Sequence, residues 1–469
     1  MKNKVLLECD SFTINQFKKW LAENQYFHNY IIYALVKPLH FKTFKEELAV
    51  HKNIIPITYQ TIFEYQAKKT VDAKSYFDFI NFYLNDQITS RLLDRDGYWP
   101  SFGTGNQNAF HYHSEAANHA LMFLEDHAFQ FIYFRESPHI SKEWLLAKCA
   151  DFLNLKIYIS EQFVFTWLFT IKEGYKRFRK PVLNQLDLQP SQRLKDDLSN
   201  YVKMVSDKYE IAIPSYEKGR IGQGFFKFYN PFREIKESIK RPHRFINKTK
   251  NYLFYKKNAK EINVKNLDYF VFFMHYQPER TSLPEGYEFS DQFFAIQILS
   301  KLLPKGIKLI VKEHPSMFTY ESEPKFRTIF NYKSLLNIDN IELCSLNINS
   351  FELIDHALGV ATITGTSAIE SYIRKKPVIV FGRNNLNVDG VHGFKNVEDL
   401  ELFVRKVCEK KIQIDNVSEN LYNMCVHSAM SGIPEDTTES VDYYTYKKSF
   451  QEIAHYKLLS QVLKLHDAT

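Results

Sequence analysis

The strongest constraint on the fold is a series of short apolar runs that alternate with amphipathic segments between residues 269 and 382. Polar residues, Gly and Pro bound the runs, as is typical of buried strands. The segment between the first two runs has apolar residues spaced three and four apart, which predicts a helix with Ser290 as its N-cap. The runs are Tyr269 to Met274, Ile307 to Val311, Gly359 to Thr364 and Pro377 to Gly382. This alternation predicts a parallel sheet covered by helices.

The N-terminal half repeats this alternation less clearly. Its strand candidates are Asn29 to Val36, Gln130 to Phe134 and Lys156 to Ser160. A chain of 469 residues is too long for one ordinary core. We therefore predict an α/β protein with two Rossmann-like parallel-sheet domains that face a cleft, in which ligands bind outside the carboxyl ends of the strands. The predicted parts are an N-terminal domain (1–171), a basic and mostly helical connecting segment (172–262), a C-terminal domain (263–430), and C-terminal helices that pack on the N-terminal domain (431–469).

Cysteine usage and hydropathy indicate the compartment. The five cysteines contain no CxxC pair, which argues against a disulfide framework or a zinc site and fits a reducing cytoplasm. The N-terminus reaches an acidic residue after at most four apolar ones, so no signal peptide is expected. The longest nearly apolar run, Phe163 to Ile171, is far shorter than the ~20 residues that span a bilayer. We expect a soluble, cytoplasmic protein.

The net charge of +7 is concentrated in one segment. Residues 233–260 contain ten Lys or Arg and two Glu, so the remainder of the chain is almost neutral. Interleaved basic and aromatic residues suit an anionic membrane surface, a polyanion or nucleic acid. The alternative is a solvated helix and linker, and no recognisable nucleic-acid-binding module accompanies the segment.

The second apolar run ends in an unusual way. Lys312, Glu313 and His314 follow it directly, and Pro315 favours an extended backbone at the histidine. An imidazole at a strand end can donate a hydrogen bond to a phosphate oxygen, and Lys312 adds positive charge. The alternative is a histidine that is hydrogen-bonded within its own loop.

The third run ends in a turn that is also suited to a phosphate. Gly365, Thr366 and Ser367 lie between a strand and a predicted helix start, where free backbone N–H groups and hydroxyls attract anions. Gly365 allows close approach of the backbone. However, Ser367 and Glu370 also have the spacing of a capping box, in which the two side chains only satisfy the helix end. The sequence leaves both interpretations open.

Two further strand ends carry candidate residues. Gln277 follows the first run and could bind a base or sugar edge, although a plain turn fits as well. In the N-terminal half, Glu136 and His139 follow a strand, and a carboxylate there could deprotonate an acceptor hydroxyl. Pairing of Glu136 with Arg135 is the alternative. The metal-like spacing in “HYHSEAANH” has no other support, and the DxD pattern of Asp94 and Asp96 is explained more simply by a turn, so we predict no metal site.

Taken together, “FFMHYQPERTSLPEG”, “LSKLLPKGIKLIVKEHP”, “TITGTSAIES” and “KKPVIVFG” resemble the bacterial capsule polysaccharide biosynthesis family. The Gln-Pro pair at Gln277 and the His-Pro pair at His314 are more specific together than either is alone. The best-understood members are glycosyltransferases of the β-Kdo type, relatives of bacterial sialyltransferases. Their fold is GT-B, with two Rossmann-like domains and a nucleotide sugar held mainly by the C-terminal one. The resemblance covers about a quarter of the chain and does not extend to the N-terminal half.

The resemblance implies roles for residues in the C-terminal domain. His314, Thr366 and Ser367 would contact the phosphate of a nucleotide sugar, typically a CMP-activated sugar acid, and Glu370 would reach the ribose. No metal or other cofactor would be needed. The sequence thus predicts a glycosyltransferase of surface polysaccharide biosynthesis that acts on a glycan or lipid-linked acceptor. The alternatives are a nucleotide-sugar 2-epimerase of GT-B fold and a non-catalytic polysaccharide-binding or export-assembly protein.

Overall fold

The structure is a computed structural model that divides into two compact units. Unit 1 comprises residues 1–189, 425–440 and 446–469, and unit 2 comprises residues 190–424 and 441–445. The residues that the structure describes are 2–9, 14–67, 71–96, 106–163, 165, 168–176, 180–182, 192–207, 209, 242–318, 326–393, 395–428, 430–431 and 448–467.

Unit 1 contains a mixed sheet in the order β14-β6-β5-β4-β1-β2-β3, with β7 paired to β6. The five strands from β5 to β3 along this order are parallel, and β6, β7 and β14 are antiparallel additions. The strands are β1 (Asn3–Glu8), β2 (Tyr30–Leu35), β3 (Ile54–Ile57), β4 (Phe131–Phe134), β5 (Lys156–Gln162), β6 (Leu168–Glu173), β7 (Lys180–Pro181) and β14 (Met430–Ser431).

The described helices of unit 1 connect these strands and include one from the C-terminus of the chain. They are α1 (Ile14–Glu23), α2 (Pro38–Glu47), α3 (Tyr59–Phe63), α4 (Ala73–Leu84), α5 (Gln87–Asp96), α6 (Asn106–His127), α7 (Ser141–Phe152) and α16 (Lys448–Asp467), with a 3₁₀ helix at Gln25–Asn29. Leu458, Leu459, Val462 and Leu463 of α16 are buried in the same hydrophobic core as β1, β2 and β4. The C-terminal helix is therefore an integral part of unit 1.

Unit 2 contains a sheet in the order β10-β9-β8-β11-β12-β13, and every pairing in it is parallel. Its strands are β8 (Tyr269–Phe273), β9 (Lys308–Lys312), β10 (Ile341–Leu343), β11 (Gly359–Thr362), β12 (Val378–Val380) and β13 (Val391–His392). Strand β8 is buried throughout, as are β11 and β12. This burial explains why these strands appear in the sequence as continuous apolar runs, because helices cover both faces of a parallel sheet.

The described helices of unit 2 are α8 (Gln192–Asp207), α9 (Pro242–Asn258), α10 (Gln292–Leu302), α11 (Ile329–Leu336), α12 (Ser350–His356), α13 (Ser367–Ile373), α14 (Val397–Cys408) and α15 (Val417–Ser428). Short 3₁₀ helices occur at Val264–Asn266, Tyr287–Ser290 and Pro315–Phe318. One helix start differs from the prediction. Asp291 is the N-cap of α10, because its carboxylate accepts the N–H of Phe293, whereas the Ser290 hydroxyl donates to the carbonyl of Tyr287.

The two units confirm the predicted α/β class with two Rossmann-like domains, because each contains a sheet with a parallel core. The basic segment 233–260 is described only in part: residues 242–258 form α9 within unit 2, and residues 233–241 lie outside the described ranges. Within the described ranges, no helix combines the length and the apolar character that a membrane crossing requires.

Candidate functional site

The ends of three neighbouring strands bring the candidate residues of unit 2 together. Strand β8 lies between β9 and β11, and Phe273 is paired with Lys312 on one side and with Thr362 on the other. The chain therefore leaves all three strands at the same edge of the sheet, and His275, His314 and Thr364 follow within two residues. Carboxyl ends of adjacent parallel strands are the usual ligand-binding edge of such a sheet.

The His314 side chain is partly buried, and one hydrogen bond fixes its tautomer. Nδ1 accepts the backbone N–H of Ser316 at 3.2 Å. In the neutral ring the proton therefore resides on Nε2, which is then a hydrogen-bond donor. The ring lies 6.2 Å from that of Tyr276, centroid to centroid. His314 thus presents a preset N–H donor at the end of β9.

His275 links the end of β8 to the end of β11. Its Nε2 accepts the backbone N–H of Thr364 at 3.1 Å and lies 3.1 Å from the Thr362 hydroxyl. Burial, followed by the charges of His314 and Arg327, lowers the pKa of His275 to about 3. The ring is therefore neutral and acts as an acceptor that holds the turn after β11. The sequence prediction did not include this residue.

The turn after β11 has the predicted composition but not the capping box. A Cβ at Gly365 would lie 3.1 Å from two ring atoms of His275, so the close approach that glycine permits here is to this histidine. The N-cap of α13 is Thr366, with no side-chain cap hydrogen bond, and Ser367 is already helical. The alternative in which Ser367 and Glu370 cap each other is therefore wrong. Thr366 is exposed and Ser367 is partly buried.

Glu370 lies one turn further along α13 and is 6% exposed. No described residue donates a hydrogen bond to its carboxylate. Burial raises its pKa to about 7, and the charge of Arg374 opposes this rise. A buried carboxylate without a donor is energetically costly. Glu370 is thus able to accept hydrogen bonds from a ligand.

Gln277 and Lys312 are both engaged inside unit 2. The Gln277 amide donates to the carbonyl of Ser290 at 3.0 Å and accepts from the guanidinium of Arg327. The Lys312 ammonium group donates to the carbonyl of Ile348 at 2.6 Å and lies near two further carbonyls of the loop after β10. Their predicted contacts with a ligand remain predictions.

A buried ion pair lies behind the His314 loop. Arg327, 2% exposed, donates from Nε to Oε2 of Glu313 at 2.7 Å, and Glu313 is 1% exposed. The sequence prediction did not include Arg327. It lies in a loop ahead of α11, and nothing in its local sequence distinguishes it from other arginines.

Glu136 lies in unit 1, after β4, near two further carboxylates. Its side chain is 26% exposed, and Oε1 lies 3.7 Å from the guanidinium of Arg135. Glu8, at the end of β1, accepts the backbone N–H of Arg135 at 3.1 Å. Glu143, in the first turn of α7, accepts the backbone N–H of His139 at 3.1 Å, and its carboxylate lies 3.4 Å from Nδ1 of that histidine.

Two of these three carboxyl groups have raised pKa values. Burial raises the pKa of Glu8 to about 8, with a further contribution from the charge of Glu143. Burial likewise raises the pKa of Glu143 to about 7, although the N–H group of His139 partly offsets it. The Glu143 side chain is 11% exposed. That of Glu136, at 26%, is the more accessible of these two. Two carboxyl groups near Glu136 therefore have pKa values close to neutral.

The metal-like spacing falls on α6. Nδ1 of His119 lies 2.8 Å from the carbonyl of Tyr65, to which it donates. Among the residues that the structure describes, no group of three or more His, Cys, Asp or Glu side chains is placed to hold a metal ion. Independence from metal remains a prediction.

Comparison with solved structures gives only distant similarities. A β-Kdo 2,4 transferase, KpsC from Thermosulfurimonas dismutans, is 12% identical, with a TM-score of 0.31 over 64% of this chain and 87% of that one. The β-Kdo 2,7 transferase of the same protein is 10% identical, with a TM-score of 0.28 over 72% and 94%. UDP-GlcNAc 2-epimerase from Neisseria meningitidis is 12% identical, with a TM-score of 0.26 over 99% and 100%. At these TM-scores the similarities carry no argument about fold or activity.

A family comparison is more informative. No curated protein matches the chain. The model of the family described as “Capsule polysaccharide biosynthesis protein” matches residues 206–415. This range contains the three strand ends with His275, His314 and the turn at Gly365. The motifs quoted from the sequence lie within the same range, and residues 206–415 are therefore similar to the capsule polysaccharide biosynthesis family.

Proposed function

We propose that the chain is a glycosyltransferase of capsule polysaccharide biosynthesis. The donor is a CMP-activated sugar, Kdo or a related sugar acid, and the acceptor is a glycan or a lipid-linked glycan. Neither a metal ion nor another cofactor takes part, and nucleic acid is not a partner. The match to the capsule family model supports a role in capsule polysaccharide biosynthesis. The identity of the sugar donor is an inference from the Gln-Pro and His-Pro motifs.

The observation that carries this proposal is the fixed tautomer of His314. Because Nδ1 accepts from Ser316, Nε2 donates to an oxygen of the donor phosphate without prior rearrangement. When the glycosidic bond breaks, negative charge grows on that phosphate. A donor held in place before the reaction stabilises this charge at little reorganisation cost, which is the basis of electrostatic catalysis.

The turn at Gly365 and the start of α13 supply the other contacts with the nucleotide. The hydroxyls of Thr366 and Ser367 donate to phosphate oxygens. Glu370, three residues after Ser367, accepts from the ribose hydroxyls, which would give its buried carboxylate the donors that the described residues do not provide. A charge-assisted bond to a ribose hydroxyl also favours the ionised form.

The acceptor hydroxyl is deprotonated by a carboxylate of unit 1, and we assign this role to Glu136. Its side chain is partly exposed, as a base that meets a second substrate must be. Glu8 and Glu143 create the electrostatic setting: ionisation of either raises the proton affinity of its neighbours.

The test is ligand binding followed by product analysis. We expect CMP to raise the unfolding temperature of the full chain, and UDP, GDP and TDP to have little effect. Incubation with CMP-Kdo and an acceptor glycan should then give a longer glycan and free CMP. Preference for UDP, or turnover of a UDP-sugar without acceptor, would replace the transferase with an epimerase. No response to any nucleotide would favour a binding or assembly role.

We also propose that the enzyme is cytoplasmic and associates peripherally with an anionic membrane surface through α9. Ile246, Lys250, Leu253 and Lys257 lie four, three and four residues apart and therefore share one stripe of the helix. Ile246 is 48% exposed and Leu253 is 56% exposed, and both lysines are exposed. Apolar side chains flanked by lysines are typical of helices that lie at a lipid interface.

Vesicle binding tests this association. We expect the chain to co-sediment with vesicles that contain phosphatidylglycerol, but not with phosphatidylcholine alone, and to dissociate in high salt. Since each lysine near an anionic surface contributes about 1 kcal/mol, Lys250→Glu with Lys257→Glu should weaken binding at least tenfold. Lys301→Glu with Lys305→Glu makes the same charge change at exposed positions elsewhere in unit 2 and should have a much smaller effect. Equal losses in the two double variants would contradict a specific face.

A further inference from the structure

Arg327 joins the loops that follow β8 and β9. Its Nη2 donates to the carbonyl of His275 at 2.9 Å, and its Nη1 donates to the side chain of Gln277. Its Nε donates to Glu313, the residue before His314. One guanidinium therefore contacts both signature pairs of the sequence, Gln-Pro and His-Pro, although the two pairs lie far apart along the chain.

Burial of the Arg327 guanidinium makes these contacts sensitive to the arrangement of the groups around it. The guanidinium is 2% exposed and lies 5.3 Å above the ring of Phe293. Its charge is balanced by Glu313, whose Oε2 also accepts the hydroxyl of Tyr332 at 2.8 Å. A buried pair of this kind gives little net stability, but loss of one partner leaves an uncompensated charge. Such a pair is better explained by the arrangement it enforces than by the stability it contributes.

The arrangement continues directly to His314. The second carboxylate oxygen of Glu313, Oε1, accepts the backbone N–H of His314 at 2.8 Å. Arg327 thus fixes the Glu313 side chain, and Glu313 fixes the backbone from which the imidazole projects. The backbone N–H of Ser316 then fixes the ring. Hydrogen bonds therefore link Arg327 to Glu313, Glu313 to the backbone of His314, and the His314 loop to Nδ1 of the imidazole.

A lysine could not replace this arginine. The guanidinium is planar and presents its N–H donors in fixed directions, here toward Glu313, Gln277 and the carbonyl of His275. An ammonium group is a single point charge on a flexible chain, which could keep the bond to Glu313 but not the other two. The side chain of Gln277 also faces Arg327 rather than being free for a ligand, which gives it a supporting role.

We infer that Arg327 is a positioning residue, which sets the location of the His314 imidazole through Glu313 and couples it to the Gln277 loop. This inference rests on the proposed nucleotide-binding function of His314. It assigns the Gln-Pro pair to the support of the phosphate-binding histidine. It also predicts that substitutions at Arg327 and Gln277 weaken the same interaction, the binding of the phosphate by His314.

Two measurements on the full-length chain test the role. The first is the affinity for CMP by calorimetry. The second is the NMR signal of the His314 Cε1–H group, identified among the 16 histidines by its loss in His314→Gln. Arg327→Lys should weaken CMP binding about tenfold and shift the His314 signal. Tyr332→Phe, which removes one hydrogen bond from Glu313, should change both in the same direction by a smaller amount and serves if Arg327→Lys does not fold.

The matched control is Leu400→Ala in α14, a fully buried position outside these loops, at which the substitution lowers stability. It should leave both CMP affinity and the His314 signal unchanged. Gln277→Ala combined with Arg327→Lys should weaken CMP binding by less than the product of the single effects. If Arg327→Lys and Tyr332→Phe only lower the unfolding temperature, as Leu400→Ala does, the positioning role is wrong. If the parent chain binds no nucleotide, the proposed function fails, and the His314 signal alone then decides whether Arg327 positions the ring.

Discussion

Replacement of His314 by alanine is expected to weaken CMP binding by about 10- to 150-fold. A hydrogen bond to a charged group contributes about 1.5–3 kcal/mol, and this range corresponds to that loss of affinity. If the enzyme turns over, kcat should fall by about 10²- to 10³-fold as well, because the same N–H stabilises charge that develops on the leaving phosphate. Isothermal titration and initial rates with CMP-Kdo measure the two effects.

Two control variants distinguish the effect of the Nε2–H hydrogen-bond donor from that of the imidazole ring. His314→Gln places an amide N–H near the position of Nε2 and should recover part of the affinity. His356→Ala removes an exposed imidazole from α12 of the same unit and should leave CMP binding unchanged. If His314→Ala binds CMP as the parent chain does, the phosphate is held elsewhere, and the assignment of this strand end fails.

The strand ends of unit 2 were largely predictable from the sequence. β8, β11 and β12 are buried throughout, so their sequences are continuous apolar runs, and the polar residues that follow mark where each strand ends. The sequence therefore indicated His314 and the turn at Gly365 as residues of one sheet edge. It did not indicate that β8 lies between β9 and β11. That order makes His275 the contact of Thr364, and it depends on pairing between strands that are distant in the chain.

The residues that the sequence did not reveal have no local signal. Arg327 is defined by contacts with residues 275, 277 and 313, and no spacing or composition near it predicts these long-range bonds. The N-cap of α10 was misplaced because Ser290 and Asp291 are both good caps, and only backbone geometry selects the aspartate. A similar limit applies to Glu8. The short run before it was recognised only as too brief for a signal peptide, although it forms the central strand β1 and makes Glu8 a strand-end residue.

Glu8→Gln is expected to stabilise unit 1 at alkaline pH. In the folded chain the pKa of Glu8 is about 8, against an ordinary value of 4.5, because of burial and the nearby charge of Glu143. Between these two values the folded state holds a proton that the unfolded state has released. Stability from this group is therefore complete below about pH 4.5 and falls as the pH rises toward 8. At 1.36 kcal/mol per pKa unit, the difference between 4.5 and about 8 corresponds to a loss on the order of 5 kcal/mol.

Tryptophan fluorescence makes this measurement selective, because all four tryptophans lie in unit 1. From pH 5 to pH 9 the denaturant midpoint of the parent chain should decrease, and that of Glu8→Gln should decrease less. The variant should therefore have the higher midpoint at pH 9. Glu23→Gln, at an exposed position of α1, should show the parent slope. Parallel slopes for Glu8→Gln and the parent chain would mean that Glu8 ionises normally. The electrostatic argument for a base beside Glu8 and Glu143 would then fail, and with it the assignment of Glu136.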